Sequence, residues 1–294
     1  MIANSDHIFT DPNGREHLFP NSRDFSFCAQ EGDVHQYIAA RIPFHWHDHF
    51  EIYVQQKGLV QIGIGEDNYI LKPGEGCFIN SGVLHSFTAI EPDVCSYHSF
   101  VIDPGIIGGM PGSIFDTRYV KPLIEKGPAF LVFSPEKDKP YFTAFDQMFC
   151  LCQQEPSGYE LKIRNQLSDL TLYLHEKNSL LSARRIPELT DTRMKQMLTW
   201  MDENLGNHIS LEDIAASANI CPRECQRIFR RYLHYSPMEY LRQRRLLHAA
   251  SLLSSTSLPI TEIALECGFS SPSYFSMQFK KLAGHTPLEY RETV

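Results

Sequence analysis

The sequence repeats itself once, and the repeat fixes what its last third can fold into. Ser236-Pro237-Met238-Glu239-Tyr240 returns 50 residues later as Thr286-Pro287-Leu288-Glu289-Tyr290, and Pro222 returns at the same offset as Pro272. Ahead of those prolines the offset is 49, so the second copy has one extra residue at its turn. Each copy opens with apolar residues at i, i+3, i+4 and i+7: Leu211, Ile214, Ala215 and Ala218, then Ile260, Ile263, Ala264 and Cys267. That spacing predicts a short helix with one buried face. Ser210 caps the first of these helices, and Gly268 supplies the positive φ that a tight turn needs after the second. Ser271 and Pro272 read as an N-cap and a first helical residue. The helices that follow bury Cys225, Ile228, Phe229 and Tyr232 in one copy, and Phe275, Phe279 and Leu282 in the other. Two copies are too few for a solenoid. The pattern predicts two tandem helix-turn-helix units.

Such a unit with a basic exposed second helix suits the major groove of double-stranded DNA. The first unit presents Arg223, Glu224, Gln226, Arg227, Arg230 and Arg231. The second presents Ser273, Tyr274, Ser276, Met277, Lys280 and Lys281. Arginine can make two hydrogen bonds to a guanine edge and glutamine two to an adenine edge, so Gln226 and Arg227 read as base contacts. Arg230, Arg231, Lys280 and Lys281 read as phosphate clamps. Met277 can touch only a thymine methyl, which leaves the second unit mainly positioning. The net charge of −8 argues against nucleic acid until the chain is divided. Residues 193–294 hold 12 Lys/Arg against 10 Asp/Glu, whereas the remainder holds 15 against 25. The basic residues are concentrated on particular helices, and the acidic part would be repelled by DNA.

A chain of 294 residues predicts about two domains. Its apolar runs fall short of the ~20 residues a membrane span needs, and its first residues carry no secretory signal. The eight cysteines show no CxxC pair. Reduced thiols in a cytoplasmic protein are the expectation. Residues 1–36 show no periodicity and read as an irregular arm. From Tyr37 to about Ile102, β-branched and aromatic runs alternate with turn signals such as Gly65-Glu66-Asp67-Asn68 and Pro73-Gly74. Short strands at this spacing predict an all-β sandwich or barrel. Helices begin near residue 141. Ile163, Leu167, Leu170 and Leu174 form a heptad-like seam, which either packs on its own barrel or joins two chains. A polar connector at 182–191 marks the boundary before a helix carrying Met194, Met197, Leu198 and Met201.

Within the β region stands His45-Trp46-His47-Asp48-His49-Phe50-Glu51. His45, His47 and Glu51 share parity, so on a strand their side chains point to one face. With His85 they make three imidazoles and a carboxylate. Such a set suits a divalent transition metal, contact with a small effector, or internal hydrogen bonding. We assign the four to the effector and expect no resident cofactor, with a metal at these positions left open.

Two resemblances extend this reading. The HxH, Glu and Gly58 spacing is similar to the first motif of the cupin fold. The second motif is weaker, since Asn80 stands where proline is usual and Ala89 replaces the final asparagine. Residues 193–291 resemble the DNA-binding domain of the AraC/XylS family of bacterial transcription regulators. The likeness is carried by Ile214-Ala215, Ile263-Ala264, Gly268-Phe269-Ser270, Tyr274-Phe275-Ser276, Phe279-Lys280-Lys281 and Thr286-Pro287-Leu288-Glu289-Tyr290. The resemblance implies a multidomain fold: an N-terminal all-β cupin-like barrel plus helices, and a C-terminal all-α tandem helix-turn-helix domain. Residues 1–140 would sense an effector, 141–181 would form a helical dimerisation segment, and 192–294 would bind DNA. It further implies an activator of carbohydrate-related genes that responds to a small molecule such as a sugar, contacts RNA polymerase and works as a homodimer. No enzyme activity is expected. The alternative is a metal-dependent cupin enzyme, an isomerase or dioxygenase, with a DNA-binding appendage.

Overall fold

The computed structural model describes residues 2–4, 25–180 and 189–293. The expected N-terminal arm lies outside the described residues apart from 2–4 and 25–36, as does most of the expected connector (182–188). The chain forms two compact units, one holding the elements up to Leu180 and the other those from Leu189.

The first unit is built on strands β1 (Ile2–Asn4), β2 (Phe27–Asp33), β3 (Arg41–His45), β4 (Phe50–Gln55), β5 (Val60–Ile64), β6 (Asp67–Leu71), β7 (Gly76–Ile79), β8 (His85–Ala89), β9 (Ser96–Ile102) and β10 (Phe130–Phe133). Six of them form one sheet in the order β1-β2-β9-β4-β7-β10, and β3-β8-β5-β6 form a second. Pairing is antiparallel except between β1 and β2. The expectation of an irregular segment through residue 36 is corrected at β2, which pairs with β9 along its whole length. Its sequence, FCAQEGD, carries too little apolar alternation for a period of two to stand out.

Every residue of β4 is buried, because this strand lies in the middle of three layers. Phe50, Ile52 and Val54 join the core shared with the helices. Tyr53 belongs to the core between the two sheets. Glu51 has the parity of Tyr53 and therefore points between the sheets. Short helices α1 (Gly105–Gly108) and α2 (Lys121–Lys126) precede the long α3 (Lys139–Gln154) and α4 (Tyr159–Leu180). Ile163, Leu167, Leu170 and Leu174 of α4 are buried in the same core as Phe145, Phe149 and Phe100. The expectation that this seam is the dimer contact is thereby corrected: its own unit already covers it.

Two polar side chains lock the layers. The Tyr141 hydroxyl on α3 accepts from the backbone N–H of Tyr53 at 3.1 Å and lies 2.7 Å from the Cys77 carbonyl. Gly76 makes this approach feasible, since a Cβ there would sit 2.7 Å from the Tyr141 ring. Asn80 donates to the carbonyls of Leu123 at 2.8 Å and Pro128 at 3.0 Å, tying the β7–β8 turn to the end of α2. That is the work of the asparagine where a cupin has proline.

The second unit comprises α5 (Leu189–Glu203), α6 (Leu211–Ser217), α7 (Pro222–Leu233), α8 (Pro237–Ser255), α9 (Ile260–Glu266), α10 (Pro272–Ala283) and α11 (Pro287–Thr293). The helix expected from Thr192 begins three residues earlier. The repeated closing phrase is a capping box: Ser236 N–H donates to Glu239 at 2.7 Å, and Thr286 N–H to Glu289 at the same distance. At the turns, Asn219 with φ 54° matches Gly268 with φ 75°. A side chain at Gly268 would also meet the Leu205 carbonyl at 2.6 Å.

Candidate functional site

His45 ends β3 and His85 begins β8, and the two are partners in the ladder. Their rings are 4.1 Å apart. His47 sits in the turn that leads into β4, held to the β7–β8 turn by the Gly82 N–H donating to its carbonyl at 2.8 Å. The ligating atoms of His45, His47, Glu51 and His85 all lie within 4.8 Å of one another, and all four residues are buried. The structure thus brings together every residue assigned to the effector from sequence.

Each imidazole has its Nδ1 beside a backbone carbonyl: Pro43 for His45 at 2.9 Å, His49 for His47 at 3.1 Å, and Val83 for His85 at 2.8 Å. A carbonyl only accepts, so Nδ1 carries the proton and Nε2 bears the lone pair in each neutral ring. His47 Nε2 and His85 Nε2 approach Glu51 Oε2 at 3.4 and 3.1 Å. The His85 contact lies off the direction of a hydrogen bond, leaving that nitrogen without a hydrogen-bond partner. Burial lowers the pKa of His45, and His85 and His47 lower it further. Burial raises the Glu51 carboxyl, and only with His47 and His85 protonated do their hydrogen bonds and charge outweigh it and hold the group well below the usual carboxylate range. Inward lone pairs, a buried carboxylate and Nδ1 atoms fixed by carbonyls are the donor set and outer shell of a divalent metal site. These residues fit such an ion.

The space beside the tetrad is a cavity of about 10 Å³, lined also by Gln30, Ile42, Tyr53, Phe87, Tyr97 and Val101. Sequence reasoning missed these residues. Tyr53 shares the parity of Glu51 on β4 and was legible that way; Gln30 lay in the segment read as irregular.

In the second unit Arg223, Gln226, Arg227, Arg230 and Arg231 are exposed along α7, and Ser273, Met277, Lys280 and Lys281 along α10. Ser276 is half-buried. Each helix keeps its apolar face inward, through Cys225, Ile228 and Phe229 and through Phe275 and Phe279. Arg227 makes a two-pronged pair with Glu224, at 2.9 and 2.6 Å, so its guanidinium is held against its own helix. Cys225, one turn from the exposed Cys221, is packing: burial pushes its thiol up to about 12.

Residues 25–171 match the family model of the AraC-like ligand binding domain, and residues 214–293 match a helix-turn-helix domain. The HTH-type transcriptional regulator YdeC of Bacillus subtilis is 30% identical over 262 residues, spanning 88% of this chain and 89% of that protein. The chain belongs to the AraC family of transcription regulators. The regulator YkgA of Escherichia coli is 42% identical over 110 residues, 35% of this chain and 46% of that one. Among solved structures, the DNA-binding domain of AdpA in complex with a target DNA is 30% identical, with a TM-score of 0.33, covering 34% of this chain and 91% of that one. The family's members and domains are those of regulators, so the AraC-family reading displaces the cupin-enzyme alternative. Among the described residues, no helix is long and apolar enough to cross a membrane.

Proposed function

We propose that this AraC-family protein is a cytoplasmic, homodimeric regulator that takes a small effector at His45, His47, Glu51 and His85 and reads DNA mainly through α7. The observation that supports it is a buried, inward-facing polar cluster in the sensor segment of a chain that also carries two DNA-reading units. Base reading falls to Gln226 and Arg227, with Arg223, Arg230, Arg231, Ser273, Ser276, Lys280 and Lys281 positioning the backbone and Met277 set against a thymine methyl. Residues 1–140 sense, 141–181 carry the dimer helix, and the connector at 182–191 leads to the reader at 192–294. The inner face of α4 being covered, the dimer contact falls to its outer stripe, where Leu161 and Leu172 stand 65% and 49% exposed. Activation through contact with RNA polymerase is the mode we infer from the family. Carbohydrate-related target genes rest on the resemblance alone, so sugars form one arm of the test. Purified protein is screened against metabolites and ions for a thermal shift, because a ligand that binds only the folded state stabilises it. A hit must also change affinity for DNA enriched from a random pool. Glu51→Gln should lose that change, and a wild-type change in this variant removes the tetrad from effector binding.

A further inference from the structure

The described cavity beside the tetrad is small. Organic ligands occupy clefts of roughly 300–1,000 Å³, whereas about 10 Å³ is free here. A volume of ~10–15 Å³ holds about one water-sized species. Tyr53, Tyr97 and Gln30, which line it, are already engaged with neighbours outside it. The Tyr53 hydroxyl donates to Gln55 at 2.6 Å, Tyr97 and Tyr37 share a hydrogen bond at 3.2 Å, and Gln30 accepts from Ser99 at 3.2 Å. Tyr53 is stacked between Phe87 and Tyr97, at 4.9 and 5.1 Å. Opening room for a sugar ring means dismantling this stack and its hydrogen bonds. An ion needs no such opening.

We propose that the effector of the barrel is a divalent transition-metal ion itself, held by Nε2 of His45, His47 and His85 and the carboxylate of Glu51. The inference rests on the reading of the barrel as the sensor and names its ligand. Two donors each ~2.1 Å from one ion lie about 3–4 Å apart, so the 4.8 Å spread of the four needs only a small contraction. Loading an ion would turn the Glu51–His85 approach at 3.1 Å, which lacks hydrogen-bond geometry, into two bonds to one cation. Nitrogen with a single carboxylate favours manganese, iron, cobalt, nickel or zinc over magnesium and calcium, which prefer all-oxygen shells. Contraction would draw β3, β8 and β4 together at one end of the sandwich, and those strands lie in both sheets. That gives the ion a differential grip on two states of the sensor, which any effector requires.

The test uses the full chain, stripped with a chelator and reloaded with Mn²⁺, Co²⁺, Ni²⁺ or Zn²⁺ one at a time. Expected are one ion per chain after desalting, a raised unfolding midpoint and a cobalt absorption spectrum of mixed nitrogen and oxygen ligation. Affinity for the pool-enriched DNA should change by about 5–150-fold between stripped and loaded protein. Glu51→Gln and His85→Gln should bind the ion at least tenfold more weakly, with circular dichroism establishing that each is folded. If one does not fold, the other and the wild-type cobalt spectrum decide. Wild type that binds no stoichiometric ion, or variants that bind it equally well, overturn the site. An ion bound with DNA affinity unchanged makes it a structural part, and the effector proposal fails while the regulator reading stands. A chain that enriches no DNA at all instead overturns the regulator reading.

Discussion

Arg227 shows how far one residue can be read and where reading stops. Its exposure on a helix behind a proline start follows from the repeat, and the structure places it so. Its pairing with Glu224, three residues back, adds a competitor for the base edge that spacing alone suggests but does not orient. Arg227→Ala should cost about 1–3 kcal/mol of binding and relax preference at one base pair. Lys281→Ala should weaken all sequences alike and lower the salt slope by about one. Binding to randomised sites at two salt concentrations separates the cases; equal behaviour of the two variants would end the division between reader and clamp. A second residue, Tyr141, was invisible as a functional group in the sequence, where it is one more aromatic at the head of a helix. Its hydroxyl meets the Tyr53 amide and the carbonyls of Tyr53 and Cys77 between layers. Tyr141→Phe leaves these buried groups short of a partner, so a loss of about 1–3 kcal/mol is expected in denaturant unfolding.

At the scale of elements, α4 is where periodicity gave the right stripe and the family resemblance the wrong partner for it. The intervals of four, three and four between Ile163 and Leu174 state that one face is buried, and it is. A heptad pattern does not say whether the facing surface belongs to the same chain, because a barrel and a second helix bury leucine equally well. Leu167→Ala should therefore cost about 2–5 kcal/mol of stability without a change in assembly. Leu161→Glu with Leu172→Glu should leave stability nearly unchanged and yield monomers in sedimentation. A dimer that survives those two charges moves the contact off α4. Strand β2 and the tetrad show the complementary limit. Parity along one strand groups His45, His47 and Glu51 in the sequence, whereas the structure sets them at the end of β3, in a turn and on β4, with β3 and β4 in two different sheets. The arrival of His85 from β8 depends on register across the sheet. Pattern along a chain carries no register between distant strands, so the cluster was nameable from the motif while its closeness and burial were not.

At the scale of the whole molecule, the two halves of the second unit hang on α8. This helix runs nineteen residues, Pro237–Ser255, or ~28 Å at 1.5 Å per residue. Arg244 anchors it to α5 through two hydrogen bonds to Asp202 at 2.8 and 3.0 Å, in a pair that is almost wholly buried. Arg245 adds bonds to the carbonyls of Leu205 at 2.8 Å and Asn207 at 2.6 Å. Successive major-groove faces on one side of B-DNA lie about 34 Å apart. A connector of this length, with the flanking turns, can set α7 and α10 into adjacent grooves, and its anchors make it stiff. One chain should then protect a non-palindromic site of roughly two helical turns, with sequence preference concentrated in the half under α7. Removing the anchor tests whether stiffness matters. Arg244→Ala takes the guanidinium away from the buried Asp202 carboxylate, a loss of about 3–5 kcal/mol. Under conditions where the variant is still folded, it should protect the α7 half and lose the other. Hydroxyl-radical footprinting reads both halves at once: a wild-type footprint of a single turn would mean that α10 does not reach the groove, and α8 would be a spacer in sequence only.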